Sequence, residues 1–391
     1  MGPSPDLHSG RHDIYLVPGF FGFANLGELK YFAHVREVLT ARCVAAGVDV
    51  RVHAVKTHPT ASLPKRAVRV VETIAKTVRR HAAIHLIGHS SGGLDIRLMV
   101  AAGVSLPTEL NVEQLAARVR SVVTVATPHY GTPVASIFTG LLGQKVLQLV
   151  SLSTMHVLRF GRLPIAVLLA LGAVFTRLDD LAVNSALLDE LFPKLLDDFS
   201  VGRRRAVRAL LAEVAADQAL LLQLTPEVME LFNAVVANRP GVRYGSVIAS
   251  AQPPGVRSTL RAGLDPTAQA SHAIYQAMYR LAAPSAHVCA PPVSAEQVRA
   301  LRRAYARLPT PRANDGVVPT RSQVWGEIIH AARADHLDVI GHFDDSARTP
   351  SHFDWLTTAS GFTADQFAAL WTDVVQYLFG AAARDPRSSE A

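Results

Sequence analysis

A serine set between two glycines is where this sequence could do chemistry. Gly88-His89-Ser90-Ser91-Gly92 follows the apolar run Ile84–Ile87 and leads into the helix-like segment Leu94–Ala101. A serine hydroxyl is a weak nucleophile at neutral pH and needs a base beside it. Glycines two positions either side let a strand turn sharply into a helix. The hydroxyl then stands exposed at the top of a sheet, over a helix N-terminus that favours developing negative charge. The chemistry expected is attack on a carbonyl. The competing reading is a glycine-rich strand-to-helix connection with no chemistry. The strand before the pentapeptide and the helix after it favour the nucleophile.

Such a serine needs a neutral histidine, and a carboxylate to fix that histidine's tautomer. In a strand–turn–helix setting the chain order is serine, acid, histidine. The sequence supplies Ser90, then Asp315 in the turn Asn314–Pro319, then His336 in the polar loop Asp335-His336-Leu337-Asp338. Position makes the choice among 16 histidines. His330, His342 and His352 are the next candidates, and His129 comes too soon after the nucleophile. Asp344 and Asp345 follow the histidine and have the wrong order for the acid. The oxyanion donors are read as the backbone N–H groups of Phe20, in the loop Pro18-Gly19-Phe20-Phe21-Gly22-Phe23, and of Ser91.

The elements that must hold these groups alternate. Asp13–Val17, Val48–Val55, Ile84–Ile87, Val119–Val125, Gly241–Ser250 and Trp325–Ala331 read as strands. Tyr31–Ala46, Lys65–Arg80 and Phe362–Phe379 read as amphipathic helices. In Lys65–Arg80, Val68, Val71, Ile74, Ala75 and Val78 are expected on the buried face and the basic residues on the other. The pattern predicts an α/β fold with a mostly parallel sheet covered on both faces. The core spans 13–135 and 240–380, with an insertion at about 256–310, and 1–12 and 381–391 are loose tails. Residues 136–239 show long apolar helical stretches and no β alternation. They are read as a helical cap, with Ile137–Phe175 as a lid whose apolar inner face covers the serine.

Hydrophobic residues make up 49% of the 391 and charged residues 18%, enough for a large core. The net charge of +7 is modest, and the run Arg203-Arg204-Arg205 fits a solvated helix face better than a nucleic-acid site. The basic balance suits docking on anionic lipid surfaces. Cys43 and Cys289 are expected as isolated thiols. No secretory signal is visible at the N-terminus and no apolar run is long enough to span a bilayer, so a soluble chain is expected with export left open.

Five segments carry a family resemblance: Val17–Phe23, His85–Gly93 with Ile96-Arg97, Ser121–Thr132, Asn314–Val318 and His336–Asp338. On these the chain resembles the calcium-dependent true lipases of bacteria, the group whose secreted members often need a foldase. The resemblance covers the core and leaves the cap and second insertion largely unmatched. It implies an α/β-hydrolase fold, carboxylic-ester hydrolysis, and Ser90, Asp315 and His336 as a triad. It also implies a structural calcium held by Asp338 and by Asp265 in Leu264-Asp265-Pro266, with hard oxygen ligands. The alternative for those two is a turn and a helix cap. The chain departs from the family at Pro18, where a histidine is usual, in lacking the family's disulfide near the acid, and around His342, where a glutamine is usual. No organic cofactor is expected. Acyl transfer, polyester cleavage and non-catalytic lipid binding are the other functions considered.

Overall fold

The computed structural model describes residues 10–20, 25–26, 29–137, 148–149, 151–153, 155–156, 163–176, 191, 193–283, 291–345, 354 and 356–379. Phe21–Phe23, most of 138–162, 177–190, Cys289, His352 and the end tails 1–9 and 380–391 lie outside the described residues.

Strands β1 (His12–Val17), β4 (Val50–Ala54), β5 (Ala83–His89), β6 (Val119–Val125), β7 (Arg243–Ala249) and β8 (Glu327–Ala332) form one parallel sheet in the order β4-β1-β5-β6-β7-β8. A short antiparallel pair, β2 (Asn25–Leu26) and β3 (Leu29–Lys30), stands apart. The central strands are buried on both faces, as a parallel sheet between two helical layers must be. Along β1 the side chains alternate: Ile14 and Leu16 join one core and Tyr15 and Val17 the other.

Helices α1 (Val35–Ala45) and α7 (Ala364–Phe379) cover the first face with Val35, Leu39, Leu370 and Trp371. Helices α2 (Leu63–Thr77) and α3 (Gly92–Val100) cover the second. In α2 the buried stripe is Leu63, Arg66, Ala67, Val70, Val71 and Ile74. This corrects the expected register, because Arg66 lies on the buried face instead of the solvated one. Each buried aliphatic of that stripe contributes about 1.5–3 kcal/mol.

The core elements therefore match the reading of the sequence, with strand ends shifted by a residue or two. Progress across the sheet reverses at β1: the chain moves out to β4, then returns to the other side as β5. In such sheets a crevice opens at the carboxyl ends of the strands flanking the reversal. The loops carrying Phe20 and Ser90 leave β1 and β5 there.

Among the described residues no strand occurs between β6 and β7. Helices occupy that stretch, among them α4 (Ile165–Thr176), Val201–Ala216 and Pro226–Val235. Helix α4 is apolar nearly all round. It packs against α6 (Pro266–Leu281) and buries Val167, Leu168 and Leu171, while Ile165 and Leu169 stay exposed. The second insertion holds α5 (Val256–Arg261), α6 and a helix at Ala295–Tyr305. Cys43 is a buried free thiol, raised to about 11 by burial. Among the described residues no helix is long and apolar enough to cross a membrane.

Candidate active site

Ser90 sits at the β5–α3 turn with a φ of 54°, a left-handed conformation that a residue with a Cβ adopts only when its surroundings impose it. Two close approaches impose it. A Cβ on Gly88 would lie 2.4 Å from the Gly92 carbonyl oxygen, and one on Gly92 would lie 2.3 Å from the Val17 carbonyl oxygen. The Ser90 N–H is tied to the Val125 carbonyl of β6 at 2.8 Å. The elbow is thus wedged between β1 and β6 before any substrate arrives.

Asp315 and His336, 21 residues apart, come together. His336 donates its Nδ1–H to Asp315 Oδ2 at 2.7 Å, and the His336 N–H bonds the Asp315 carbonyl at 3.0 Å. Asp315 is fully buried. Its Oδ1 accepts the N–H groups of Val317 and Val318, and its Oδ2 also accepts from Gln323 Nε2 at 3.1 Å. The turn Asn314–Pro319 closes this cradle with Gly316 at a φ of 96°. Four donors therefore aim at one carboxylate, the arrangement that holds an imidazole in the Nδ1–H tautomer and leaves Nε2 as the base.

His89, the residue before the serine, links the two sides of the site. Its ring lies 4.7 Å from that of His336, and its Nε2 bonds the His336 carbonyl oxygen at 2.9 Å. A carbonyl can only accept, so His89 carries its proton on Nε2. Its Nδ1 must then accept, and the Tyr31 hydroxyl 2.7 Å away donates to it. The same hydroxyl oxygen accepts the Gly19 N–H at 2.8 Å. Burial, then the neighbouring His336, hold the His89 pKa well below the ordinary histidine value. Burial pushes the Tyr31 hydroxyl upward. Both links therefore stay neutral.

Arg66 completes the loop around Phe20. It is fully buried and grips the Asp95 carboxylate at 2.7 to 3.1 Å. Its Nη2 also donates to the carbonyls of Pro18 at 2.8 Å and Gly19 at 3.2 Å. In a trans peptide C=O and N–H point to opposite sides. Holding the Gly19 carbonyl toward Arg66 thus turns the Phe20 N–H the other way. The Gly19 and Ser90 N–H groups are already committed, to the Tyr31 hydroxyl and the Val125 carbonyl.

Three of the other histidines weighed as bases have structural partners. His129 is buried, accepts from Arg97 at 3.0 Å, bonds Thr124 and stacks on Trp325. His330 pairs with Asp373, and His342 bonds the Tyr31 carbonyl.

The expected metal ligands part company. Asp265 is exposed and caps α6, accepting the Ala268 N–H at 2.8 Å, where the sequence offers a turn as its alternative role and a helix cap for Asp338. Asp338 instead lies in a cluster with Asp335 and Asp354, their candidate ligand oxygens all within 4.8 Å of one another. Asp335 accepts the Leu337 and Asp338 N–H groups and the Thr358 hydroxyl. Asp338 Oδ1 is buried with no hydrogen-bond partner. Burial, and then the Asp335 charge, push the Asp338 and Asp354 carboxyls well above the usual carboxylate range.

Comparison with known proteins agrees with this architecture. Residues 57–162 match the family described as Putative serine esterase (DUF676). A metagenomic carboxyl esterase is 17% identical with a TM-score of 0.50, over 96% of this chain and 78% of its own. Lipase 1 from Pelosinus fermentans is 16% identical with a TM-score of 0.50, over 94% of this chain and 99% of its own. At this identity the likeness establishes the α/β-hydrolase fold. Among curated proteins no sequence matches the chain.

Proposed function

We propose that this chain is a serine hydrolase that cleaves carboxylic esters, with long-acyl lipid esters as its substrates. The observation that carries the reading is the buried Asp315–His336 bond, beside an elbow whose serine is held at a positive φ. Ser90 Oγ attacks the acyl carbonyl while His336 Nε2 takes its proton. The Phe20 and Ser91 N–H groups receive the oxyanion. The tetrahedral species collapses, and His336 returns the proton to the departing alkoxide, which leaves an acyl-Ser90 ester. Water then attacks through the same base, and the acid and free serine are released.

The apolar cap supports the choice of long-acyl esters. In this reading Ile137–Phe175 is the lid over Ser90. Of this stretch the described part of α4 combines buried Val167, Leu168 and Leu171 with exposed Ile165 and Leu169. A structural calcium belongs to the same proposal, held by Asp335, Asp338 and Asp354 and not by Asp265. Oxygen-only ligands suit calcium, and the orphaned Asp338 oxygen is the kind of group a cation satisfies. Bound there, it fixes the loop that carries His336 and supplies no reacting atom.

The test is Ser90→Ala assayed on acetyl and octanoyl esters, with fluorophosphonate labelling of both proteins. Hydrolysis and labelling both vanish in the variant, and the wild type favours octanoyl and rises in rate past the substrate's solubility limit. Label that persists on Ser91 overturns the nucleophile. Acetyl preference with smooth saturation overturns the lipid-ester part alone.

A further inference from the structure

Helix α5, Val256–Arg261, is folded with its polarity reversed. Its inward residue is Ser258, which is buried and bonds Gly255 and His272. Its outward aliphatics are Val256 at 79% exposure and Leu260 at 72%, and Leu264, just past the turn where Gly263 at a φ of 81° ends the helix, is 97% exposed. A solvated surface helix turns its apolar residues in and its polar ones out. Single exposed leucines are ordinary, but three exposed aliphatics on one short helix and the turn that follows it, with the serine spent inward, make an apolar stripe.

The surroundings of the stripe say what covers it. Arg257 and Arg261 are exposed on the same helix, and Arg280 is exposed on α6 across a groove of about 360 Å³ shared with Val256 and Leu260. The acidic neighbour Asp265 caps α6 and keeps its charge, against the three arginines. The position is also specific. The α5 segment leaves the carboxyl end of β7, the edge of the sheet at which Ser90 and Phe20 stand. Past Leu264, Asp265–Thr267 share a second groove of about 820 Å³ with Leu163–Ile165, which brings the exposed Ile165 of the cap to its rim. Aliphatic knobs flanked by guanidinium groups, on the side of the molecule where substrate enters, fit one partner best. The aliphatics enter the acyl boundary and the arginines meet anionic headgroups.

We propose that Val256, Leu260 and Leu264, with Arg257 and Arg261, dock this protein on an anionic lipid surface with the Ser90 crevice facing it. The proposal deepens the lipid-ester reading and rests on it only for the choice of partner. The experiment uses the full chain with vesicles of phosphatidylcholine alone or mixed with phosphatidylglycerol, read by co-sedimentation, and a soluble short-acyl ester assay in parallel. The wild type partitions onto the mixed vesicles. Leu260→Asp with Leu264→Asp loses that partitioning by tenfold or more. Arg257→Glu with Arg261→Glu loses it by about fivefold per arginine and brings binding down to the phosphatidylcholine level. Both double variants keep the wild-type kcat/KM on the soluble ester, which shows them folded. The proposal is overturned if the wild type ignores both vesicles or the variants bind as it does. It is equally overturned if the stripe proves to join two copies of the chain, seen as a dimer that only the leucine variant dissolves. A wild type that binds vesicles but leaves every ester intact instead sinks the hydrolase reading and leaves the docking surface standing.

Discussion

His89 donates its Nε2–H to the backbone carbonyl of His336 at 2.9 Å, so the residue before the nucleophile holds the loop that carries the base. Through Tyr31 the same imidazole is joined to the Gly19 N–H, one residue from the proposed oxyanion donor Phe20. Tyr31→Phe removes the shared hydroxyl and leaves two buried polar groups without partners. We expect kcat to fall about tenfold to a hundredfold with KM little changed. His89→Gln keeps a donor for the His336 carbonyl and should lose less. If Tyr31 and His89 act as one unit, the double variant is no worse than the poorer single one. A lowered melting point with unchanged kcat would reduce the chain of bonds to packing.

Asp315→Asn changes charge and bonding but little shape. Its amide would offer a donor where His336 Nδ1–H now donates, which favours the opposite tautomer and protonates Nε2. We expect a loss in kcat on the order of 10⁴-fold with the fold intact by circular dichroism. Activity within tenfold of wild type would remove Asp315 from the triad.

Calcium should raise the melting temperature and chelator should lower it, since binding to the folded state alone stabilises by mass action. Asp338→Asn should abolish the response and Asp265→Asn should leave it intact. The opposite pattern would restore the Leu-Asp-Pro turn as the metal ligand.

Two glycines predict opposite signs. Gly92→Ala drives a methyl into the backbone of Val17, 2.3 Å from its carbonyl oxygen, and should cost activity and several kcal/mol of stability. Gly172 lies inside α4 with nothing within 4 Å of a built Cβ. Gly172→Ala should therefore stabilise by about 1 kcal/mol. Chemical denaturation of both variants decides.

Three buried histidines predict the acid limb of stability. Burial lowers His85 to about 3, and holds His89 and His129 well below 6.5. Each is neutral when folded and takes a proton when unfolded below its ordinary pKa. The unfolded state therefore binds more protons, and stability falls as pH drops from about 6.5 toward the folded values. The slope is at most about 1.4 kcal/mol per pH unit for each histidine. The buried carboxyls of Asp338 and Asp354, held high by burial, act with the opposite sign, so the histidine part is read as a difference: between about pH 7 and about pH 5 the melting point of His129→Gln should fall less steeply, or rise more, than that of the wild type. Identical slopes would mean the His129 ring is charged in the fold.

Local rules made much of this molecule readable. The elbow was legible because the crowding between β5, α3 and β1 admits only glycine at 88 and 92, and chain order narrowed the acid and base to Asp315 and His336. Partners set by distance were not legible. Arg66 reads as one more basic residue on an amphipathic helix, and only the fold shows that it reaches Asp95 and the Gly19 carbonyl. His89 fills a motif position that accepts any residue, so its two bonds had no signal. Asp265 is ambiguous for a local reason: an aspartate before a proline that starts a helix looks the same as a ligand turn. Asp354 joins the Asp335–Asp338 cluster from a separate loop, which no spacing rule anticipates.

The Arg66–Asp95 pair has no exposed surface on either side chain, so bulk ions do not reach it. Mobile ions weaken attraction between charges that face water and leave enclosed ones nearly untouched. Arg257 and Arg261 face water. Ionic strength therefore acts as a dial on attachment alone: moderate salt should release the protein from a charged membrane while turnover of a dissolved ester runs on unchanged.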